Sequence, residues 1–192
     1  MYKLCKTEQS ARRQRELEQV LARMMLTTRY EEITVSDFCA FAGIPRKAFY
    51  RYFSSKDGVL HALIDHTMME YEQFRDPGSR ADYKSMLKEM EHFYQFWLQQ
   101  KWMLDALKFS GLSGILLERA IGTIDDVTLT KRIAKGEDEF SRRQIARFAI
   151  SGLMIMIITW HHDGYRESPR EMAEQSVRML NQPLMPFLED LI

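Results

Sequence analysis

Ile33-Thr34-Val35-Ser36-Asp37-Phe38-Cys39-Ala40-Phe41-Ala42-Gly43-Ile44-Pro45-Arg46-Lys47-Ala48-Phe49-Tyr50-Arg51-Tyr52-Phe53 is the stretch that decides the fold. Val35, Phe38, Cys39 and Ala42 recur at i, i+3, i+4 and i+7, one face of an α-helix, and Thr34 stands at its N-cap. Gly43 stops that helix, because a residue without Cβ takes the left-handed C′ conformation at no steric cost. Pro45 opens the next, where its fixed φ suits the first turn. Ile44, Phe49, Tyr52 and Phe53 give this second helix a buried side. Arg46, Lys47, Tyr50 and Arg51, at i, i+1, i+4 and i+5, share the opposite face. Two short helices across a glycine turn make a helix-turn-helix, whose second helix enters the DNA major groove. Its cations and phenol suit guanine N7 and O6 acceptors flanked by phosphates. An ordinary solvated face is the alternative reading of that side.

Outward from this stretch the 3.6-residue period continues. Leu17, Val20, Leu21, Met24 and Met25 stripe a first helix from about Thr7 to Thr27. Ser54-Ser55 start a fourth helix, Asp57 to about Arg75, with Val59, Leu60, Leu63, Ile64, Met68 and Tyr71 on its apolar side. A turn is expected at Asp76-Pro77-Gly78-Ser79. Tyr83, Met86, Leu87, Met90, Phe93, Tyr94 and Trp97 register on a fifth helix; shorter pieces follow over 102–110 and 112–121, and 122–136 is ambiguous. A long apolar helix runs from about Asp138 to His162. Ser168-Pro169-Arg170-Glu171 reads as a capping box opening the last helix, which Pro183 ends. No segment alternates as a strand does. The expectation is an all-α chain of about nine helices. A three-helix helix-turn-helix domain occupies 1–56 and a larger helical bundle 57–192, with the fourth helix, 57–75, linking them.

Composition narrows the function. The 192 residues are 45% apolar and offer no run of about 18 consecutive apolar residues, so no membrane span is expected. Cys5 and Cys39 make neither a disulfide framework nor a zinc site, and the first residues lack a secretory h-region, so a reduced cytoplasmic setting is expected. Net charge is zero, but residues 1–60 carry 11 Lys/Arg against 7 Asp/Glu and the remainder 16 against 20. A basic module on an acidic body suits a polyanion partner. HExxH, phosphate-loop and GxSxG motifs are absent, as is a cysteine nucleophile pair, so no catalytic residue, metal or cofactor is expected. His161-His162-Asp163 reads as a helix end that favours imidazolium.

Ala42-Gly43-Ile44-Pro45-Arg46-Lys47-Ala48-Phe49-Tyr50-Arg51-Tyr52-Phe53-Ser54-Ser55-Lys56-Asp57 closely resembles the DNA-binding segment of the TetR family of bacterial transcriptional regulators. Tyr30-Glu31-Glu32-Ile33-Thr34-Val35 resembles the family's link between its first two helices, and the likeness covers about residues 10–66. The resemblance implies a homodimer with two N-terminal domains in successive major grooves of a pseudo-palindromic operator, released by a small-molecule effector. It assigns Thr34 and Ser36 to phosphate, Arg46 and Lys47 to bases, and Tyr50 and Lys56 to phosphate, with Arg51 and Tyr52 set for base edges or backbone. Pro45 replaces a frequent serine and removes two phosphate donors. Ala48 leaves only a methyl for thymine, and Arg29 stands at a frequent glycine.

In such a body Met and aromatic side chains suit a deformable effector cavity. Met86, Met90, Phe93, Tyr94, Trp97, Trp102, Met103, Leu107 and Phe109 are the effector candidates, with plain core as the alternative. Phe148, Ala149, Gly152, Leu153, Met156 and Trp160, with Met172, Val177 and Leu180, are the dimer-interface candidates; a buried central helix in a monomer is the other reading. The leading expectation is a ligand-responsive repressor. The alternative is a coactivator of similar fold that docks a protein in place of DNA, to which Pro45, Ala48 and zero net charge point.

Overall fold

The computed structural model describes residues 1–74, 83–123 and 138–181. Nine α-helices lie among them: α1 Glu8–Met25, α2 Val35–Ala42, α3 Arg46–Tyr52, α4 Lys56–Phe74, α5 Tyr83–Gln99, α6 Lys101–Phe109, α7 Gly114–Thr123, α8 Glu139–His162 and α9 Pro169–Asn181. No strand occurs among the described residues, only an isolated antiparallel bridge between Tyr2 and Phe53. The expected turn at Asp76-Pro77-Gly78-Ser79, most of the ambiguous 122–136 segment and Pro183 lie outside the described residues; Gly122 and Thr123 finish α7.

Local signals account for the helix ends. The Thr7 hydroxyl accepts from the Ser10 amide and caps α1. Thr34 and Asp37 form a reciprocal capping box on α2, satisfying amides that a helix start leaves unpaired. Gly43 takes φ 62°, so the turn before α3 closes in the left-handed region that penalises a Cβ. Ser168 and Glu171 cap α9 reciprocally, Ser168 N to Glu171 Oε2 at 2.7 Å and Glu171 N to Ser168 Oγ at 3.3 Å.

Leu17, Leu21 and Met25 of α1 are fully buried together with Phe38 of α2, Phe49 of α3 and Leu60, Leu63 and Ile64 of α4. Helix α1 packs on α2, α4 and α6, so apolar packing runs on into the body. There α5 lies along α9, and α7 lies along α8. Tyr94 ties the first pair: its hydroxyl is 2.7 Å from Ser176 Oγ and its ring meets Trp160 edge-on. A buried bond, Tyr30 N–H to Ser110 Oγ at 3.1 Å, joins the segment before α2 to the end of α6.

By length and composition α8 would suffice to cross a membrane. Here its Ala146, Met154, Ile157 and Trp160 are buried against the body, while Arg142, Arg143 and Arg147 sit near its start.

Candidate nucleic-acid interface

The base of the interface is an aromatic wedge. Phe49 is wholly buried and meets Phe38 and Tyr50 edge-on, with Phe53 tilted against it at 5.6 Å. That wedge fixes how α3 rotates. Arg46, Lys47, Tyr50 and Arg51 are turned outward as exposed residues, and Ala48 is half-buried. Tyr50 beside it holds the Arg46 guanidinium pKa above the ordinary arginine value. Thr34 and Ser36 are exposed at the start of α2, but the Thr34 hydroxyl already donates to Asp37 Oδ2 at 2.6 Å and accepts from the Asp37 amide. These bonds hold the Asp37 carboxyl below the ordinary aspartate range.

Two assigned contacts sit elsewhere in the structure. Tyr52, expected at base edges or backbone, is buried, because its position on α3 is one turn from Phe49 on the inward side. Its hydroxyl accepts from Arg51 Nη2 at 2.7 Å, and the Arg51 guanidinium lies 4.8 Å from its ring centre. Lys56, expected on phosphate, instead donates to the carbonyls of Tyr30 at 2.6 Å, Ile33 at 2.9 Å and Glu31 at 3.2 Å. It thereby holds the short 3-10 turn Tyr30–Glu32, while the Tyr30 hydroxyl is bonded to Asp57. Burial first, then that carboxylate, pushes the Tyr30 phenol pKa far up.

Sequence spacing missed a flank of this face. Gln9, Ser10, Arg12, Arg13 and Glu16 of α1 line a cleft of about 590 Å³ with Arg51 and Tyr52. Glu16 pairs with both Arg12 and Arg13, at 3.6 and 2.8 Å, which leaves the cleft cationic once Arg51 is included. The adjacent basic pair in α1 was the available signal.

Both halves of the chain match known regulators. Residues 22–63 match the model for bacterial regulatory proteins of the tetR family, and residues 116–182 that for a transcriptional regulator C-terminal region of the same family. The chain belongs to the TetR family.

The HTH-type transcriptional regulator EthR of Mycolicibacterium smegmatis is 49% identical over 43 residues, 22% of this chain and 20% of that relative's length. A Listeria innocua protein shares the fold with a TM-score of 0.62 at 19% identity, over 93% of this chain and 96% of that one. A TetR transcriptional regulator of Streptococcus agalactiae gives 0.60 at 16%, over 91% and 97%. This TetR-family chain is therefore a transcriptional regulator with an N-terminal helix-turn-helix, in a family of regulators, not of enzymes.

The body of the regulator separates the effector candidates. Phe93, Tyr94, Trp97, Met103 and Leu107 are buried, and Met86, Met90 and Trp102 half-buried against them. Phe109 is corrected: it is 50% exposed, because it stands about 200° round α6 from buried Leu107. The Trp97 indole N–H is buried without a hydrogen-bond partner among the described residues.

The dimer candidates also divide. Trp160 is buried within its own chain, its Nε1 donating to the Glu167 carbonyl at 3.0 Å; Met172 and Val177 are buried where α9 lies along α5. Those three are corrected to core. Phe148 and Gly152 are exposed on α8 and Leu180 on α9, with Ala149, Leu153 and Met156 half-buried. His161 is corrected too. It is buried 2.8 Å from Asp105, and burial outweighs that carboxylate and lowers its pKa.

Proposed function

We propose that this chain is a cytoplasmic, ligand-responsive repressor that binds a pseudo-palindromic operator as a homodimer. The observation that carries this reading is the outward set Arg46, Lys47, Tyr50 and Arg51 on a helix clamped from behind by Phe49. Bases are read by the side chains at the start of α3, and phosphates are met by Ser36, Tyr50 and the Arg12, Arg13 and Arg51 cleft. Residues 1–56 serve as the reading domain and 57–192 as the effector and dimer domain. Ile145, Phe148, Gly152 and Ile155 form an exposed seam on α8, spaced 3, 4 and 3 residues apart, and Met179 and Leu180 of α9 are exposed as well. That seam supports an intermolecular four-helix contact of two α8–α9 pairs.

Two reading helices must lie about 34–36 Å apart to enter successive major grooves. An effector that binds the body more tightly at another spacing lowers operator affinity by linkage. The effector candidates that remain after Phe109 belong to the same apolar core as Trp97, whose buried N–H has no partner among the described residues, which suits an apolar molecule carrying one hydrogen-bond acceptor.

The test is selection of bound duplexes from a random pool, followed by anisotropy titration at several salt concentrations. Enrichment of a two-fold symmetric sequence, bound with a steep salt dependence, is expected. No salt-sensitive duplex binding, with a protein partner retained, would favour the coactivator reading.

A further inference from the structure

We propose that residues 1–5 form an arm that fastens the C-terminal end of α3 to body helix α7, making Tyr2, Lys3, Gly58 and Arg119 positioning residues for the reading helix. Helix α3 has seven residues, and its last carbonyls have no partner inside the helix. The arm supplies the partners. The Lys3 ammonium donates to the Tyr50 carbonyl at 2.9 Å, a cation where the helix dipole favours one, and the Lys3 amide donates to the Tyr52 carbonyl at 2.9 Å. The Ser54 amide completes the bridge by donating to the Met1 carbonyl at 3.0 Å.

Between those two clamps, Tyr2 points inward. Its hydroxyl donates to Asp65 Oδ2 at 3.0 Å, and its ring meets His66 edge-on at 5.2 Å. Asp65 is 9% exposed, and a carboxylate so buried requires a cation. Arg119 of α7 provides it bidentately, with Nε to Oδ1 at 2.8 Å and Nη2 to Oδ2. One line of bonds thus runs from α7, which lies along α8, through Asp65 and Tyr2 to the backbone of α3.

The seat for the arm is built into α4. A Cβ on Gly58 would collide with the Met1 carbonyl, so a glycine stands in the first turn of α4 where the arm needs close approach. At its other end the arm is held to α1 by Cys5 Sγ, 2.8 Å from Gln14 Oε1. A displacement of α7 then reaches α3 through Asp65 of α4 and the arm, beside the packing of α4 itself. The role of α3 in reading DNA rests on the proposed function; the tie to α7 does not.

Amide hydrogen exchange on the full chain, followed residue by residue by NMR without DNA, tests the tie. In the parent the Lys3 and Ser54 amides are protected. Gly58→Ala removes that protection, and Tyr2→Phe and Arg119→Lys each speed exchange at both amides about tenfold, as loss of a charged hydrogen bond does. The amides of Leu21 and Ile64 keep their parental rates. Lys3 and Ser54 exchanging in the parent as in an unstructured chain would overturn the proposal. So would parental rates in both Tyr2→Phe and Arg119→Lys, or an equal rise at Leu21 and Ile64. Because no duplex is present, failure of operator binding leaves this result standing on its own.

Discussion

Arg46 and Lys47 stand exposed on the first turn of α3, and Lys56 lies four residues beyond its end with its ammonium among three carbonyls. The three lysine and arginine side chains therefore make different predictions. Arg46→Ala and Lys47→Ala are expected to weaken binding to the selected duplex about ten- to a hundredfold and to relax sequence preference, read by anisotropy against single-base variants. Lys56→Met is expected to lower stability by about 2 kcal/mol in urea melts, while the slope of log affinity against log salt stays parental. The family resemblance implied a phosphate lysine, but only the fold brings the chain's own carbonyls around it. Tyr52 makes the same point. Both faces of a two-turn helix hold aromatics, and which one is inward depends on how α3 seats on Phe38 and Phe53.

At the scale of an element, α8 shows why the division between inward and outward apolar residues was only half legible. Its apolar residues cover a wide arc, and periodicity alone does not divide that arc among neighbours. In the fold, Ala146, Met154, Ile157 and Trp160 go to the body, whereas Ile145, Phe148, Gly152 and Ile155 remain outside. Phe148 is 68% exposed, so a charge there costs the monomer little. Phe148→Glu is expected to raise the dimer dissociation constant at least about tenfold in sedimentation experiments, with an unchanged circular dichroism spectrum. Four helix boundaries were legible because Thr7, Thr34, Gly43 and Ser168 act through bonds to residues within a few positions.

Across the whole molecule, α6 and α8 are joined by a titratable pair. Burial lowers the His161 pKa below its ordinary 6.5, despite Asp105 at 2.8 Å; Lys108 and His162 lower it further. Burial tends to raise the Asp105 carboxyl, but hydrogen bonds from His161 and Lys101 outweigh it and hold the carboxyl below its usual range. The unfolded chain therefore takes up the histidine proton first as pH falls. The stability linked to His161 is complete above about pH 6.5 and is lost below it, with the Asp105 share lost further into acid, below about pH 4. Melting temperature is expected to fall between pH 7.5 and 5.5, and His161→Asn to flatten that fall, checked by calorimetry. Sequence spacing placed His161 at a helix end but gave no sign of Asp105, 56 positions away.

The sequence by itself determined the helices, their caps, the left-handed turn at Gly43 and the basic side of α3, because each follows from contacts or conformational limits within about seven residues. Tertiary structure alone decided which wide apolar face stays outside on α8, that Lys56 and Tyr52 turn inward, and that Tyr2 meets Asp65 and Arg119. Those outcomes depend on residues 23 to 63 positions apart or more, whose meeting is set by how whole helices pack and not by their spacing along the chain.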